Sequence, residues 1–166
     1  MIEITLLLLF PLLVIFAASS DLLTMTIPNG VSLLLAGGFA FCAFLVGIPV
    51  SGLAGHFASG ALVLLIGFGM FSAGWIGGGD AKLAAAVALW LGFGSLLDFV
   101  LLASVAGGAL TLLILIFRGL PLPAFALGWT WASRLHDRRT GVPYGIALAA
   151  AALFIYPSSA IWRAGF

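Results

Sequence analysis

The sequence predicts an all-α polytopic membrane protein in which residues 1–166 form a single transmembrane domain. Only 7% of the residues are charged, 64% are hydrophobic, and the mean hydropathy is +1.32. Soluble domains carry roughly 25% charged residues, so this composition excludes an ordinary soluble domain. Long apolar runs recur along the chain, each close to the ~20 residues that a helix needs to cross a bilayer.

Turn-forming residues divide the apolar sequence into about six predicted spans. The spans are 4–20, 30–48, 53–73, 81–97, 99–117 and 142–161. The fourth and fifth are separated only by a short turn around Asp98, and one long kinked segment is the alternative. No Lys or Arg precedes Asp21, so the first span is expected to be retained and not removed as a secretory signal.

Basic residues indicate the orientation, because short loops rich in Lys and Arg stay in the cytoplasm. The loop 118–140 contains four of the six basic residues, namely Arg118, Arg134, Arg138 and Arg139. It also contains Trp129 and Trp131, and this mixture predicts a short helix lying in the headgroup region. The loop is therefore placed in the cytoplasm.

Counting back from this loop through the predicted spans puts two acidic residues at one membrane face. The segments 21–29 and 74–80 both become cytoplasmic, so Asp21 and Asp80 are predicted to lie at similar depth. Asp98 falls at the opposite face.

Each aspartate also has a simple structural interpretation, since Asp80 begins an Ala-rich helix as a capping residue and Asp21 ends a span at the interface. If the two aspartates form a pair in a poorly hydrated site, a catalytic interpretation is also open. Two such carboxylates share a proton, and one then activates water while the other polarises a scissile carbonyl. Helix dipoles favour the ionised form for Asp80, at a helix start, and the protonated form for Asp21, at a helix end.

The residues around the aspartates resemble a known family. The run "GGGDAK" (77–82) resembles the G-x-G-D-x-K signature of the type IV prepilin peptidases, which are membrane aspartic proteases. Asp21 followed by "IPN" (27–29) looks like the first catalytic segment of that family. The stretch "VPYGIALA" (142–149) is similar to its final helix. The three matches occur in the family's order and cover nearly the whole chain.

The resemblance implies a single peptidase domain that cleaves the leader of a prepilin at the cytoplasmic face of the inner membrane. Asp21 and Asp80 are then the catalytic pair. The residues expected to contact the substrate are Gly77, Gly78, Gly79, Lys82, Pro28, Asn29 and Tyr144. Glycines ahead of Asp80 would let an extended peptide approach closely.

The chain is short, and Cys42 is its only cysteine. Larger members of the family carry an insert with paired cysteines and N-methylate the product. The short form resembles peptidases of tight-adherence (Flp-type) pilus systems, which implies cleavage without methylation. Family members commonly have Arg or Lys between the first aspartate and I-P-N. Here the stretch is "LLTMT" (22–26), so Lys82 or the arginines at 134–139 would have to supply that cation.

The expected partners are a Flp-like prepilin and the lipid bilayer; no basic tract suggests nucleic acid, and a homo-oligomer is left open. His56 and His136 have no partners at metal-ligand spacing, so no metal and no cofactor are expected.

A small proton-coupled transporter or channel, with Asp21 and Asp80 as relay carboxylates, is the main alternative function. A non-catalytic membrane scaffold is a third.

Overall fold

The computed structural model describes residues 2–123 and 128–165, and helices joined by short turns make up these ranges. In chain order the helices are α1 (Ile2–Thr24), α2 (Asn29–Val46), α3 (Val50–Ser72), α4 (Gly78–Leu91), α5 (Phe93–Gly119), α6 (Thr130–His136), α7 (Gly145–Ile155) and α8 (Ala160–Gly165). A 3-10 turn, Tyr156–Ser158, joins the last two. The predicted all-α architecture is confirmed. Residues 124–127 of the predicted interfacial loop lie outside the described residues.

Length and composition agree with a membrane protein. Among the described helices, α2, α3 and α5 are long and apolar enough to cross a bilayer, and Leu8–Thr24 and Gly145–Ser158 are shorter apolar helices. The fourth predicted span, 81–97, is different. Its helix α4 has 14 residues, so it is ~21 Å long and shorter than the ~30 Å hydrocarbon core of a bilayer.

The break between the fourth and fifth predicted spans lies at Gly92, not at Asp98. Gly92 has φ +69° and ψ 177°, a conformation that is open to glycine and costly for other residues. The ring of His56 fills the space beside it, because a Cβ at this position would lie 3.0 Å from the imidazole. Asp98 is inside α5. The alternative of one long kinked segment is wrong, since α4 and α5 are separate helices.

Helix α4 occupies the centre of the bundle and packs against α2, α3, α5 and α7. Its side chains from Ala85 to Leu91 are all buried. Trp90 is fully buried and donates its indole N–H to the carbonyl of Leu35 on α2 at 2.8 Å. The rings of Phe10 and Tyr156 pack close to this indole. A short helix is stable here because its neighbours, and not lipid, surround it.

The basic loop is attached to the ends of α1 and α5 by two arginines. Arg118 at the end of α5 donates to the carbonyls of Leu135 at 2.8 Å and Gly141 at 2.9 Å. Arg134 on α6 donates to the carbonyl of Leu23 on α1 at 3.0 Å. These bonds place α6 at the end of the bundle where α1 finishes, two residues from Asp21.

Candidate active site

Asp21 lies in the last turn of α1 and is buried, with 5% of its surface exposed. The backbone N–H of Gly145, at the start of α7, donates to its Oδ2 atom at 2.8 Å. A Cβ at Gly145 would lie 2.9 Å from the same oxygen. Glycine therefore allows the N-terminus of α7 to meet the carboxylate directly. Such an N–H bond stabilises the ionised form of a carboxyl group.

Asp80 lies in the first turn of α4, and the three preceding glycines place it. A Cβ at Gly79 would lie 3.1 Å from the Cβ of Ile27, and one at Gly78 would lie 3.3 Å from the ring of Phe71. A Cβ at Gly77 would lie 2.9 Å from Oδ2 of Asp80 itself. The glycines thus let the start of α4 approach side chains of its own bundle. Their expected contact with a substrate peptide stays a prediction.

Ile27 connects the two aspartate segments. Its side chain is buried and packs against Gly79 ahead of Asp80. Its Cδ1 atom would lie 2.9 Å from a Cβ at Gly145, the residue that binds Asp21. One isoleucine therefore contacts both backbone segments that hold the carboxylates, and it brings Asp21 and Asp80 to the same end of the bundle.

The two carboxyl groups are close enough for the charge of one to act on the other. Asp80 lies outside the apolar spans. Burial and the charge of Asp21 raise the pKa of Asp80 to about 6, although a hydrogen bond from the backbone of Gly77 opposes this. The pair therefore favours one ionised and one protonated carboxyl group. The burial and the charge that raise the pKa of Asp80 favour Asp80 as the protonated partner, which is the opposite of the order expected from helix dipoles.

The side chain of Asp80 lines a cavity of about 240 Å³ between α3, α4, α5 and α7. Tyr144 also lines this cavity, and its hydroxyl donates to the carbonyl of Ala103 at 3.2 Å. The hydroxyl of Tyr144 is therefore held as a donor on the wall that faces Asp80. The remaining cavity surface is largely apolar. A peptide backbone that enters it would meet the carboxyl group of Asp80 beside an apolar surface.

Three other residues that were expected to contact the substrate lie apart from this cavity. Pro28 is exposed and precedes the first residue of α2 with φ −62°. Asn29 begins α2, and its Oδ1 atom accepts a hydrogen bond from Nζ of Lys82 at 2.8 Å. Asn29 and Lys82 line a second cavity on another face of α4. Their contact with a substrate peptide stays a prediction.

The sequence was compared with models of protein families. A model of the type IV leader peptidase family matches residues 8–112, which is more than half of the chain. The chain belongs to that family. No curated protein and no solved structure gave a match. The matched residues of this type IV leader peptidase family member include Asp21, Ile27 and the whole "GGGDAK" run, while Tyr144 and Gly145 follow the matched part.

The segment between Asp21 and Ile27 has no basic residue of its own, and its turn is held by hydroxyl groups and by an arginine from α6. The hydroxyls of Ser20 and Thr24 donate to the carbonyl of Thr26 at 2.9 and 3.2 Å. These bonds close the turn at Met25, which has φ +56°. The bond from Arg134 to Leu23 brings a guanidinium group to the same turn. A cation from α6 therefore lies where the local sequence has none.

Proposed function

We propose that this protein is a membrane-embedded aspartic endopeptidase that cleaves the leader peptide of Flp-like type IV prepilins. Cleavage takes place at the cytoplasmic face of the inner membrane and is not followed by N-methylation. The observation that carries the proposal is the meeting of the two aspartate segments at Ile27, which packs against Gly79 beside Asp80 and against Gly145, the donor to Asp21. The basic loop bound to that same end supports a cytoplasmic orientation.

In the proposed mechanism, the ionised Asp21 and the protonated Asp80 hold a water molecule between them. Asp21 accepts a proton from the water molecule while the water oxygen attacks the scissile carbonyl carbon. Asp80 donates its proton to the carbonyl oxygen, which gives a tetrahedral diol. The C–N bond then breaks as Asp21 gives its proton to the leaving amine and one hydroxyl of the diol returns a proton to Asp80, which forms the new carboxyl group and restores the starting pair. The bond from Gly145 keeps Asp21 oriented during both transfers.

The proposal is tested by co-expressing the protein with a Flp-type prepilin in cells that lack a prepilin peptidase. The processed pilin is purified, and its mass and N-terminal sequence are measured. We expect a product that starts at the cleavage site and has a free, unmethylated amine. A product heavier by one methyl group would contradict the absence of methylation. No processing at all would contradict the peptidase, and the proton-coupled transporter would then be the better interpretation.

Activity is expected to depend on pH through Asp80. Its raised pKa keeps the proton on Asp80 up to about pH 6, and that proton is required in the mechanism. The cleavage rate should therefore fall as the pH rises above this value, by about tenfold per pH unit where a single ionisation governs the rate. The measurement is the initial rate of cleavage of a prepilin by the purified protein.

The control for the pH dependence is Asp98→Asn, because Asp98 lies in α5 beyond the break at Gly92. This variant should show the same fall in rate at the same pH. A wild-type rate that stays constant on both sides of pH 6 would contradict the role of the Asp80 proton.

The position of Tyr144 is expected to depend on Gly107. A Cβ at Gly107 would collide with the Tyr144 ring and hydroxyl. Gly107→Ala should therefore move the tyrosine from the Ala103 carbonyl and lower the cleavage rate by roughly 10-fold, mainly through substrate positioning. Gly108→Ala is the matched control, since the space around Gly108 is open. Equal rates for the two variants would show that Tyr144 has no part in the site.

A further inference from the structure

A second, larger cavity lies between α2 and α3, away from the aspartates. The two helices follow each other in the chain, but each packs on α4 and they make few contacts with one another. The cleft between them has a volume of about 520 Å³, and Ala85, Ala86 and Leu89 of α4 form its floor. Leu33 and Phe57 at its sides are exposed. It therefore opens to the surroundings of the bundle, which are lipid at these apolar spans.

The ends of this α2–α3 cleft differ in chemistry. At one end Lys82 donates to Asn29, and Ser32 lies beside them. The amide that Lys82 binds is neutral, so this bond does not cancel the positive charge, and two ammonium hydrogens remain to be donated. At the other end the ring of Phe57 lies edge-on to Phe39, with ring centroids 5.9 Å apart. The cleft thus has a cation at one end and aromatic rings at the other.

The α2–α3 cleft is distinct from the cavity at Asp80. The two lie on different faces of α4, and no described residue lines both. From Lys82 to Leu89 the cleft extends along eight residues of α4, or ~10 Å. A helix that crosses the bilayer would need a groove open along ~30 Å. A single lipid tail occupies one leaflet and can end at Phe57.

We propose that the α2–α3 cleft binds a phospholipid with a net negative headgroup, its acyl chain between α2 and α3 and its phosphate on Lys82. A charge-assisted bond to phosphate suits an ammonium group whose present partner is neutral. The Asn29 side chain holds Lys82 at one end of the cleft. The membrane-spanning helices bring lipid to this cleft, and an acyl chain in it gains van der Waals contacts with the apolar side chains that line it.

The test measures lipid retained by the purified protein. The protein is incubated with phosphatidylglycerol or phosphatidylcholine in detergent micelles, and bound lipid is counted by native mass spectrometry. We expect one phosphatidylglycerol to be retained in preference to phosphatidylcholine. Lys82→Met should weaken this retention about 10-fold, as loss of a charge-assisted hydrogen bond predicts. Arg163→Met, which also removes one exposed cation, should not change it.

Two further variants test the body of the cleft while leaving Lys82 in place. Ala61→Phe adds a ring inside the cleft and should displace the acyl chain, so phosphatidylglycerol retention should fall to the level of Lys82→Met. A photo-crosslinking residue at Leu33, which is 72% exposed, should couple to lipid in vesicles. Equal retention by wild type, Lys82→Met and Ala61→Phe would overturn the proposal. Coupling of position 33 to a prepilin in place of lipid would overturn it as well.

Discussion

Replacing either Asp21 or Asp80 by asparagine is expected to abolish cleavage of a prepilin leader. Each substitution keeps the size of the side chain and removes the ability to exchange a proton, which both partners need in the proposed mechanism. By comparison with other catalytic units, the rate should fall by roughly 10⁴-fold or more. The readout is the ratio of processed to unprocessed prepilin after co-expression with each variant.

The double variant and a matched control make this result specific. Residues that act as a unit lose activity together, so Asp21→Asn with Asp80→Asn should be no worse than either single variant. Asp98→Asn, in α5, should process prepilin like the wild type. Each variant is checked for insertion and thermal unfolding. If either single variant still processes prepilin at the wild-type rate, the aspartic mechanism is wrong.

Gly145→Ala is expected to cause the second largest loss, although it changes no chemical group. The added methyl would lie 2.9 Å from Oδ2 of Asp21 and 2.9 Å from Cδ1 of Ile27. Both contacts are closer than real Cβ atoms tolerate, so α7 and the carboxylate must separate. A displacement of ~1 Å at a catalytic group lowers the rate about 10²-fold.

The control for this effect is Gly141→Ala, four residues earlier, where the space around the glycine is open. It should keep full activity. Gly145→Ala also adds volume to a packed site, at a cost of about 1–3 kcal/mol in unfolding free energy. Rates are therefore normalised to the folded fraction of each variant. If Gly145→Ala and Gly141→Ala cleave at equal rates, the Gly145–Asp21 contact has no role in positioning.

The membrane class and most of the helices were predictable, because long apolar runs between turn-forming residues can be recognised in the sequence without knowledge of any tertiary contact. The break before α5 was not. Asp98 in an apolar run suggested a turn, but the backbone changes direction at Gly92, where a positive φ and the packed His56 ring need glycine. A single glycine between apolar residues carries little signal in a sequence with 22 of them.

The meeting of Asp21 and Asp80 at one end was predictable from the count of spans, since an even number of crossings returns the chain to the same face. The contacts that hold them were missed. Ile27 and Gly145 touch across a long sequence separation, and Arg134 reaches Leu23 through 111 positions. Such contacts depend on the rotation of each helix about its axis, which the apolar pattern of a membrane helix hardly defines.

The position of Ile27 between two glycines limits how this protein can evolve. When a substitution enlarges a core side chain, a second substitution usually makes a neighbouring side chain smaller. Gly79 and Gly145 cannot be replaced by anything smaller. Position 27 is therefore already at its upper limit of size. A homologue with a residue larger than isoleucine at position 27 would need a wider spacing between helices α1, α4 and α7. Substitutions at positions 27, 79 and 145 are therefore expected to occur together.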